Sequence, residues 1–309
     1  MKGLLLLTFG GPRSLEEVEP FLLRLMKGRR PSPEQLEKIK TRYRLIGGAS
    51  PLPELTRLQA EALEAALKAK GYPFRSYVGM RYSSPLIEET VEEILRDGIE
   101  EIFALPMTPL RSKATTGAYF DELGQACAKA KASFKIHRVE GWHMDPGFLE
   151  SVREKISITL EHFPREEREE VHLLFTAHSL PLSLVRDDPY VEDLHASIKG
   201  VVHKMGWPRW SVAFQSKGLG GGEWLGPDAE EALQELSATG VKNVLVVPIG
   251  FVCDHIEILY DIDVVLREKA RSLGMTLLRT PSLNASESFI TALAKVVERE
   301  MEKKGSEFP

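Results

Sequence analysis

The sequence of 309 residues contains only two cysteines, Cys127 and Cys253, which lie far apart in the chain. Two distant cysteines cannot build a disulfide framework, a zinc ribbon or a cysteine-ligated iron–sulfur cluster. We therefore expect no iron–sulfur cluster, and a reducing compartment suits the chain.

Long apolar runs are also missing. The longest run near the start covers residues 4–7, which is far short of the roughly 20 residues that a membrane-spanning helix needs. The start also lacks the charged segment and the small-residue cleavage site of a signal peptide. The sequence therefore predicts a cytoplasmic protein with no transmembrane segment.

A basic surplus is absent as well, because 45 Asp and Glu outnumber 40 Lys and Arg and give a net charge of -5. Nucleic-acid-binding proteins carry a basic face that neutralises phosphates, so the sequence excludes a general nucleic-acid binder. Hydrophobic residues make up 43% and charged residues 28% of the chain, as in ordinary globular enzymes. This length predicts two domains of roughly 150 residues each.

Strand-like apolar segments alternate with helical patterns along the whole chain. They lie at residues 3–9, 74–80, 101–106, 134–139, 171–177, 210–215, 243–248 and 275–279. This alternation predicts an α/β fold with parallel sheets covered by helices. Eight strands divide into four and four, which predicts two Rossmann-like domains, each a four-stranded parallel sheet flanked by helices.

The domain boundary is expected near residue 160, which gives domains at 1–160 and 161–309. Residues 97–106 resemble residues 239–248 in apolar pattern, and LLLTFGGP near the start resembles LLFTAHSLP. Duplication explains both likenesses, and the general similarity of Rossmann-like strands is the alternative. A final helix at 286–303 is expected to pack back on the first domain.

Two helix starts can be identified from capping boxes, in which a serine is followed three residues later by Glu or Gln. Ser14 with Glu17 predicts the first start, and Ser32 with Gln35 predicts the second.

His178 and Glu257 are the first candidates for catalysis because each follows a predicted buried strand. In α/β sheets, ligands bind beyond the carboxyl ends of the strands. A histidine titrates near neutral pH and can accept protons there. The alternative interpretation of His178 is a hydrogen-bonded turn residue.

Glu257 also has a structural interpretation. In Asp254-His255-Ile256-Glu257 the spacing is that of a capping box, with Asp254 as the cap. A helix that begins at Asp254 places Glu257 and Asp261 on one face, with Asp254 beyond them. Such an acidic series can relay protons or a hydrated divalent cation.

The glycine-rich residues 218–224 match neither phosphate-binding template, because G-x-G-x-x-G lacks its last glycine and no GK[ST] follows. They predict a loop that brings Lys217 and Trp224 near a ligand.

Lys27, Arg29 and Arg30 form a basic cluster after the first helix, just before Pro31. Such a cluster is either a solvated helix end or a loop that binds carboxylates.

Nine motifs follow one another in a recognisable order. They are TFGGP at 8–12, GRRPSPE at 28–34, YRLIGGASPL at 43–52, YVGMRYSSPLIEE at 77–89, TTGAY at 115–119, TAHSLP at 176–181, DPY at 188–190, FQSKG with EWLGPD at 214–228, and GFVCDHIEILYD at 250–261. With these motifs the chain resembles the ferrochelatases over nearly its whole length, and most closely the short bacterial kind that uses coproporphyrin.

The resemblance implies two Rossmann-like domains with a porphyrin cleft between them, and an enzyme that inserts Fe²⁺ into the ring. His178 and Glu257 match the family's pair of cleft residues, which we expect to oppose each other across one slot. The resemblance implies that His178 accepts protons, while Glu257 and Asp261 relay protons or metal, so that all three contact the metal. The residues expected to contact the porphyrin are Phe9, Lys27, Arg29, Arg30, Ser50, Arg81, Tyr119, Lys217 and Trp224.

Departures from the family pattern limit the resemblance. Phe9 stands where many relatives have a tyrosine that can face the metal, and Lys217 replaces a common arginine. No cysteine follows Pro281, so the iron–sulfur cluster of some relatives is expected to be absent. We therefore expect no tightly bound cofactor, with iron as a substrate of the reaction. We also expect a monomer.

Three functions stay open. The first is a coproporphyrin ferrochelatase, favoured because four propionates suit the cluster of Lys27, Arg29 and Arg30. The second is a protoporphyrin ferrochelatase or a cobalt-inserting chelatase. The third is a non-catalytic tetrapyrrole or haem carrier, which has no need of the pair of His178 and Glu257.

Overall fold

A computed structural model describes residues 1–218 and 221–305. Each of the eight predicted strands is present, with bounds within two residues of those expected. They are β1 (Lys2–Thr8), β2 (Phe74–Met80), β3 (Glu101–Pro106), β4 (Lys135–Arg138), β5 (His172–His178), β6 (Trp210–Gln215), β7 (Asn243–Val247) and β8 (Thr276–Arg279).

Helices connect and cover the strands. They are α1 (Val18–Leu25), α2 (Pro33–Leu45), α3 (Leu52–Ala69), α4 (Ile87–Arg96), α5 (Ala118–Ala130), α6 (Pro146–Leu160), α7 (Leu182–Val185), α8 (Tyr190–Met205), α9 (Ala229–Ala238), α10 (Ile256–Leu259), α11 (Arg267–Ser272) and α12 (Glu287–Gly305), with π-helical segments at Lys113–Gly117 and Asp261–Leu266 and 3₁₀ turns at Trp142–Met144 and Arg165–Glu170. No helix in the described residues is long and apolar enough to cross a bilayer.

The strands form two four-stranded parallel sheets with the same topology. The first sheet has the order β2-β1-β3-β4, and the second has the order β6-β5-β7-β8. Leu5 of the central strand β1 pairs with Tyr77 of β2 and Ala104 of β3. The predicted α/β fold with two Rossmann-like sheets is therefore confirmed.

The core follows from the alternation of side chains along the central strands. Leu5 and Leu7 of β1 pack in one cluster with α4 and α5. Leu4 and Leu6 point the other way, into a large cluster that also contains Phe175 of β5 and helices α3, α6, α8 and α12. One continuous core therefore joins the two sheets, and the boundary near residue 160 stays a prediction.

The final described helix, α12, contacts both α3 and α6. Glu298 on α12 forms an ion pair with Lys70 at the end of α3, with 2.9 Å between the atoms. Arg299 pairs with Asp145, the N-cap of α6. The chain's last helix thereby holds the first sheet's helices in place.

The two predicted helix starts differ in outcome. The capping box of Ser32 and Gln35 is confirmed, because both reciprocal hydrogen bonds are present. The capping box of Ser14 and Glu17 is wrong, because α1 begins only at Val18 without a side-chain cap. Glu17 instead accepts a hydrogen bond from the Arg13 amide, so it stabilises the turn before the helix.

Candidate active site

A cavity of about 330 Å³ lies between the two halves of the chain. Its residues lie at or beyond the carboxyl ends of β1, β2 and β3 in the first sheet, and of β5 and β7 in the second. Ligands of α/β sheets bind at this position. The first half contributes Thr8, Phe9, Leu52, Arg81, Tyr82, Met107, Thr108, Ala114, Thr115 and Tyr119, and the second half contributes His178, Leu180, Tyr190, Gly250, Phe251, Val252, Cys253, His255 and Glu257.

His178 and Glu257 touch each other on one wall of this cavity. His178 ends β5, Glu257 lies on α10, and 2.9 Å separate His178 Nδ1 from Glu257 Oε2. An ionised carboxylate only accepts hydrogen bonds, so Nδ1–H donates and the lone pair of the neutral ring lies on Nε2. No residue that the structure describes forms a hydrogen bond with Nε2. The cavity therefore presents a base at Nε2.

The expected arrangement, with His178 and Glu257 opposing each other across a slot, is wrong. Side chains that share a hydrogen bond belong to one wall, so a flat ring would meet both from the same side. The loop after β7 explains the arrangement, because a Cβ on Gly250 would lie 2.7 Å from Ala177 Cβ. This loop crosses directly over the end of β5 and brings α10 against His178.

The hydrogen bond shifts the pKa of both partners. Burial lowers the pKa of His178, but the charge and hydrogen bond of Glu257, with a contribution from Asp261, raise it above the ordinary 6.5. Burial raises the pKa of Glu257, but His178 and His255 hold it well below the ordinary 4.5. The geometry therefore stabilises an imidazolium beside a carboxylate.

Backbone contacts fix the position of this pair. Gln215 Nε2, at the end of β6, donates to the Glu257 carbonyl at 2.7 Å. Tyr190 Oη, at the start of α8, donates to the His178 carbonyl at 2.9 Å. The backbone at His178 and at Glu257 is thus held by neighbouring elements of the second half.

Asp261 is close enough to act on the charges of His178 and Glu257 but is not among the described residues that line the cavity. It accepts a hydrogen bond from Ser216 Oγ, and Ser216 has the left-handed φ of 62° that turns its side chain from β6. Burial and the charge of Glu257 raise the pKa of Asp261, against the lowering effect of the Ser216 hydrogen bond. Residues 1–218 and 221–305 contain no group of three His, Cys, Asp or Glu placed to hold a metal.

The capping interpretation of Glu257 is also wrong. The helix begins at Ile256 with His255 as its N-cap, and no side chain caps it. Asp254 instead accepts hydrogen bonds from Ser282 Oγ at 2.7 Å and Asn284 Nδ2 at 2.9 Å. Glu257 is therefore available to His178, and Asp254 does not extend an acidic series.

An aromatic cluster forms the facing wall from the first half. Phe9, which is 39% exposed, packs on Tyr82 with ring centroids 4.7 Å apart and on Phe21 of α1 at 6.1 Å. Such tilted and edge-to-face pairs stabilise one another. Sequence reasoning missed Tyr82, although it directly follows the expected Arg81.

Arg81 and Tyr119, which the sequence predicts to contact the porphyrin, also line the cavity. The Arg81 guanidinium lies 4.9 Å from the centroid of Tyr82 and 5.7 Å from that of Tyr119. Its Nε donates to Glu122 on α5 at 2.9 Å. Burial raises the pKa of Tyr119, so its phenol stays neutral.

The other six expected porphyrin contacts are not among the described residues that line the cavity. Ser50 is buried beside Gly11, and Lys217 pairs with Asp228 at 3.5 Å. The loop predicted at 218–224 includes Leu219 and Gly220, which lie outside the described residues. The remaining expected contacts are Trp224, which is half-buried, and Lys27, Arg29 and Arg30, which are exposed after α1.

Sequence reasoning also missed His255 and Arg42. His255 Nδ1–H donates to the Cys253 carbonyl at 2.9 Å, and its Nε2 lies 3.8 Å from Glu257 Oε2. Arg42 on α2 lies 5.1 Å above the Tyr260 ring, and its charge acts on Asp261. The motif around Glu257 contained the signal for His255, whereas Arg42 comes from a distant helix with no local signal.

Comparisons with known proteins agree with this architecture. A family model described as Ferrochelatase matches residues 1–301. The ferrochelatase of Deinococcus radiodurans is 40% identical over 300 residues, covering 96% of this chain and 95% of that protein. The coproporphyrin III ferrochelatase of Oceanobacillus iheyensis is 36% identical over 299 residues, with 96% and 95% covered.

Solved structures of chelatases share the fold. The sirohydrochlorin chelatase SirB from Bacillus subtilis subspecies spizizenii, in complex with cobalt, superposes with a TM-score of 0.59 and 13% sequence identity. The match covers 100% of this chain and 99% of that chain. At this identity the likeness concerns the fold alone.

Proposed function

The chain belongs to the ferrochelatase family, a lyase family that inserts metal into porphyrins, and we propose that this chain inserts Fe²⁺ into coproporphyrin III. One observation carries the proposal: a histidine base at the cavity wall, with Nδ1 hydrogen-bonded to a carboxylate and Nε2 available.

Proton removal is the chemical need that this base meets. Each Fe²⁺ that enters a porphyrin replaces two pyrrole N–H protons, so a group beside the ring nitrogens must accept them. His178 accepts a proton at Nε2, and its raised pKa increases its proton affinity. Its side chain is 32% exposed, which leaves it accessible to a ring in the cavity.

Glu257 stabilises the imidazolium that forms. Its carboxylate stays ionised because His178 and His255 hold its pKa low. A charge-assisted hydrogen bond of this kind strengthens as the imidazole gains charge.

In this proposal Asp261 takes on each accepted proton from the pair, which returns His178 to the neutral form that accepts the second pyrrole proton, and incoming metal passes along the same residues. Its pKa is raised, so it holds a proton more readily than an exposed aspartate does. The hydrogen bond from Ser216 fixes its position.

The choice of coproporphyrin rests on cations near the cavity. Arg81 lies in the wall, where a permanent positive charge suits a ring carboxylate. The basic residues Lys27, Arg29 and Arg30 follow α1, whose Phe21 packs on the cavity residues Phe9 and Tyr82. The relative of Oceanobacillus iheyensis bears the name coproporphyrin III ferrochelatase, which favours the same substrate.

The experiment is an anaerobic assay with purified protein, Fe²⁺, and either coproporphyrin III or protoporphyrin IX. We expect loss of the free-base absorption bands, faster with coproporphyrin III. The variant His178→Ala is expected to bind porphyrin, measured by fluorescence quenching, without inserting iron. Porphyrin binding without any metal insertion by the unaltered chain would instead identify a carrier.

We also propose that one chain suffices, because both walls of the cavity come from the same chain. Activity that elutes with the monomer in size-exclusion chromatography would support this, and activity confined to a larger species would contradict it. The cytoplasmic location remains a prediction of the sequence.

A further inference from the structure

Arg81 is the only Lys or Arg among the described residues that line the cavity. It follows β2, and its side chain is 21% exposed. Because it carries a permanent charge inside a mostly apolar wall, its orientation determines where an anionic group can bind.

Glu122 fixes that orientation from outside the cavity. It lies on α5, is 35% exposed, and accepts a hydrogen bond from Arg81 Nε at 2.9 Å. The rings of Tyr82 and Tyr119 lie close to the same guanidinium. The Arg81 side chain is thus held at one edge by Glu122 and against two aromatic rings.

The other edge of the guanidinium remains open. Neither terminal nitrogen of Arg81 forms a hydrogen bond within residues 1–218 and 221–305. A guanidinium can donate two parallel hydrogen bonds from these nitrogens to one carboxylate. With Nε occupied by Glu122, the terminal nitrogens are the ones that a ligand can reach.

We propose that Glu122 is a positioning residue, which holds Arg81 so that its terminal nitrogens bind a carboxylate of the porphyrin. The inference rests on the proposed function for the identity of the ligand. Glu122 itself does not line the cavity, so it acts only through Arg81 and has no part in proton transfer.

Two neutral variants of Glu122 separate the effect of its hydrogen bond to Arg81 from the effect of its charge. Glu122→Gln removes the negative charge but keeps an oxygen that accepts from Arg81 Nε, whereas Glu122→Ala removes both. The quantity to measure is the ratio of their dissociation constants, Ala over Gln, by fluorescence quenching without metal. A lost hydrogen bond to a charged group predicts a ratio of about 5–10 for coproporphyrin III.

The matched ligand is the tetramethyl ester of coproporphyrin III, which has the same ring and no carboxylates. For this ester we expect a ratio below about two. In an Arg81→Met background the ratio for coproporphyrin III should also fall to about one, because the positioned group is gone. If the Ala-to-Gln ratio is the same for coproporphyrin III and its ester, or if Arg81→Met does not change it, the role of Glu122 is merely structural and the inference is overturned.

The outcomes also separate this inference from the proposed function. If the unaltered chain inserts iron but Glu122→Ala and Glu122→Gln bind coproporphyrin III equally well, only the positioning role of Glu122 is overturned. If the ratios are as expected but the unaltered chain inserts no iron, the carboxylate site is supported and the ferrochelatase proposal is overturned. Thermal unfolding of both Glu122 variants checks that each has folded.

Discussion

The two sheets have the same strand order, yet the residues that follow their strands differ in chemistry. The first half supplies rings and one cation, namely Phe9, Tyr82, Tyr119 and Arg81. The second half supplies His178 beside Glu257, together with the rings of Tyr190 and Phe251. A shared backbone thus carries a wall suited to holding a ring and a wall suited to accepting protons.

This division follows from where the backbone hydrogen bonds end. Along β1 and β5 the side chains are apolar because they pack between layers of helices, and this packing requirement ends with the last residues of each strand. Thr8 is the last residue of β1 and Phe9 follows it, and His178 is the last residue of β5. Binding and reaction can therefore be altered separately.

The strongest test of the comparison is His178→Ala. We expect iron insertion to fall by about a thousandfold, the range lost with a general base. The dissociation constant for coproporphyrin III should change by less than about threefold, because the facing wall is intact. Anaerobic insertion assays and fluorescence quenching measure the two quantities. A parallel loss of binding would mean that the second half also holds the ring.

Glu257→Gln is expected to have the next largest effect. Glutamine keeps an oxygen that can accept from Nδ1–H but removes the charge, so the imidazolium loses the charged partner of its hydrogen bond, at most roughly 1.5–3 kcal/mol, or about 10–100-fold in kcat. The pH profile gives a second readout. His178 must be neutral to accept a proton, and its raised pKa places the acid limb of the unaltered enzyme above pH 6.5.

In Glu257→Gln the acid limb should move to lower pH, because burial then acts on His178 without the opposing charge. Profiles of kcat/KM against pH measure this shift. A limb that stays in place would show that another group is the base.

Arg111→Met tests the contact between the halves. Arg111 follows β3 and donates two side-chain hydrogen bonds to Asp193 on α8, at 2.9 and 2.6 Å. Asp193 is 2% exposed, and Arg111 is 47% exposed. Removing the guanidinium leaves a buried carboxylate, so we expect about 2–3 kcal/mol less stability at pH 7, below the usual range because Arg111 is half exposed.

The sign of the pH dependence follows from Asp193. Burial raises its pKa, but hydrogen bonds from Arg111 hold the pKa below the ordinary 3.8. The stabilisation is present above that value and disappears as pH falls through the lower folded pKa. Urea unfolding at pH 7 and below pH 3.8 should therefore show a smaller difference between variant and unaltered chain at the lower pH. If the difference in unfolding free energy is as large at low pH, Arg111 stabilises the fold through packing and not through its charge.

Phe9→Leu is expected to have the smallest effect. Loss of its ring contacts with Tyr82 and Phe21 should cost about 0.5–1 kcal/mol and raise the dissociation constant for coproporphyrin III two- to fivefold. The acid limb of the pH profile should stay in place, because the charges that shift the pKa of His178 come from Glu257 and Asp261 and not from Phe9. A shifted limb would contradict the separation of the two walls.

The fold could be predicted from sequence because strand signals are local. The central strands β1 and β7 are nearly continuous apolar runs, and the outer strands β2 and β4 mix apolar with polar residues but could still be located from their apolar positions. Helix starts were less certain, since the Ser32 capping box is present and the Ser14 pattern is not. A capping pattern describes residues three apart, whereas the start of α1 also depends on burying Val18 and Phe21.

The site was predictable only in part. The positions of His178 and Glu257 after strands followed from pattern, but their contact depends on how the loop after β7 crosses Ala177. The expected face shared by Glu257 and Asp261 assumed a regular α-helix. The chain instead enters a π-helical segment at Asp261, and Val265 N bonds back five residues to the Tyr260 carbonyl at 3.0 Å.

The repeated strand order has a consequence for how such a protein can change over evolutionary time. The ladder hydrogen bonds of β1 and β5 join backbone atoms, so the side chains at and just past the ends of these strands can be replaced while the ladders persist. A pocket built at these ends can acquire a new ligand on one side while the other side keeps its reaction. Two copies of one topology thus give a lineage two separately adjustable surfaces, so that ring preference can drift among descendants that retain the same proton chemistry.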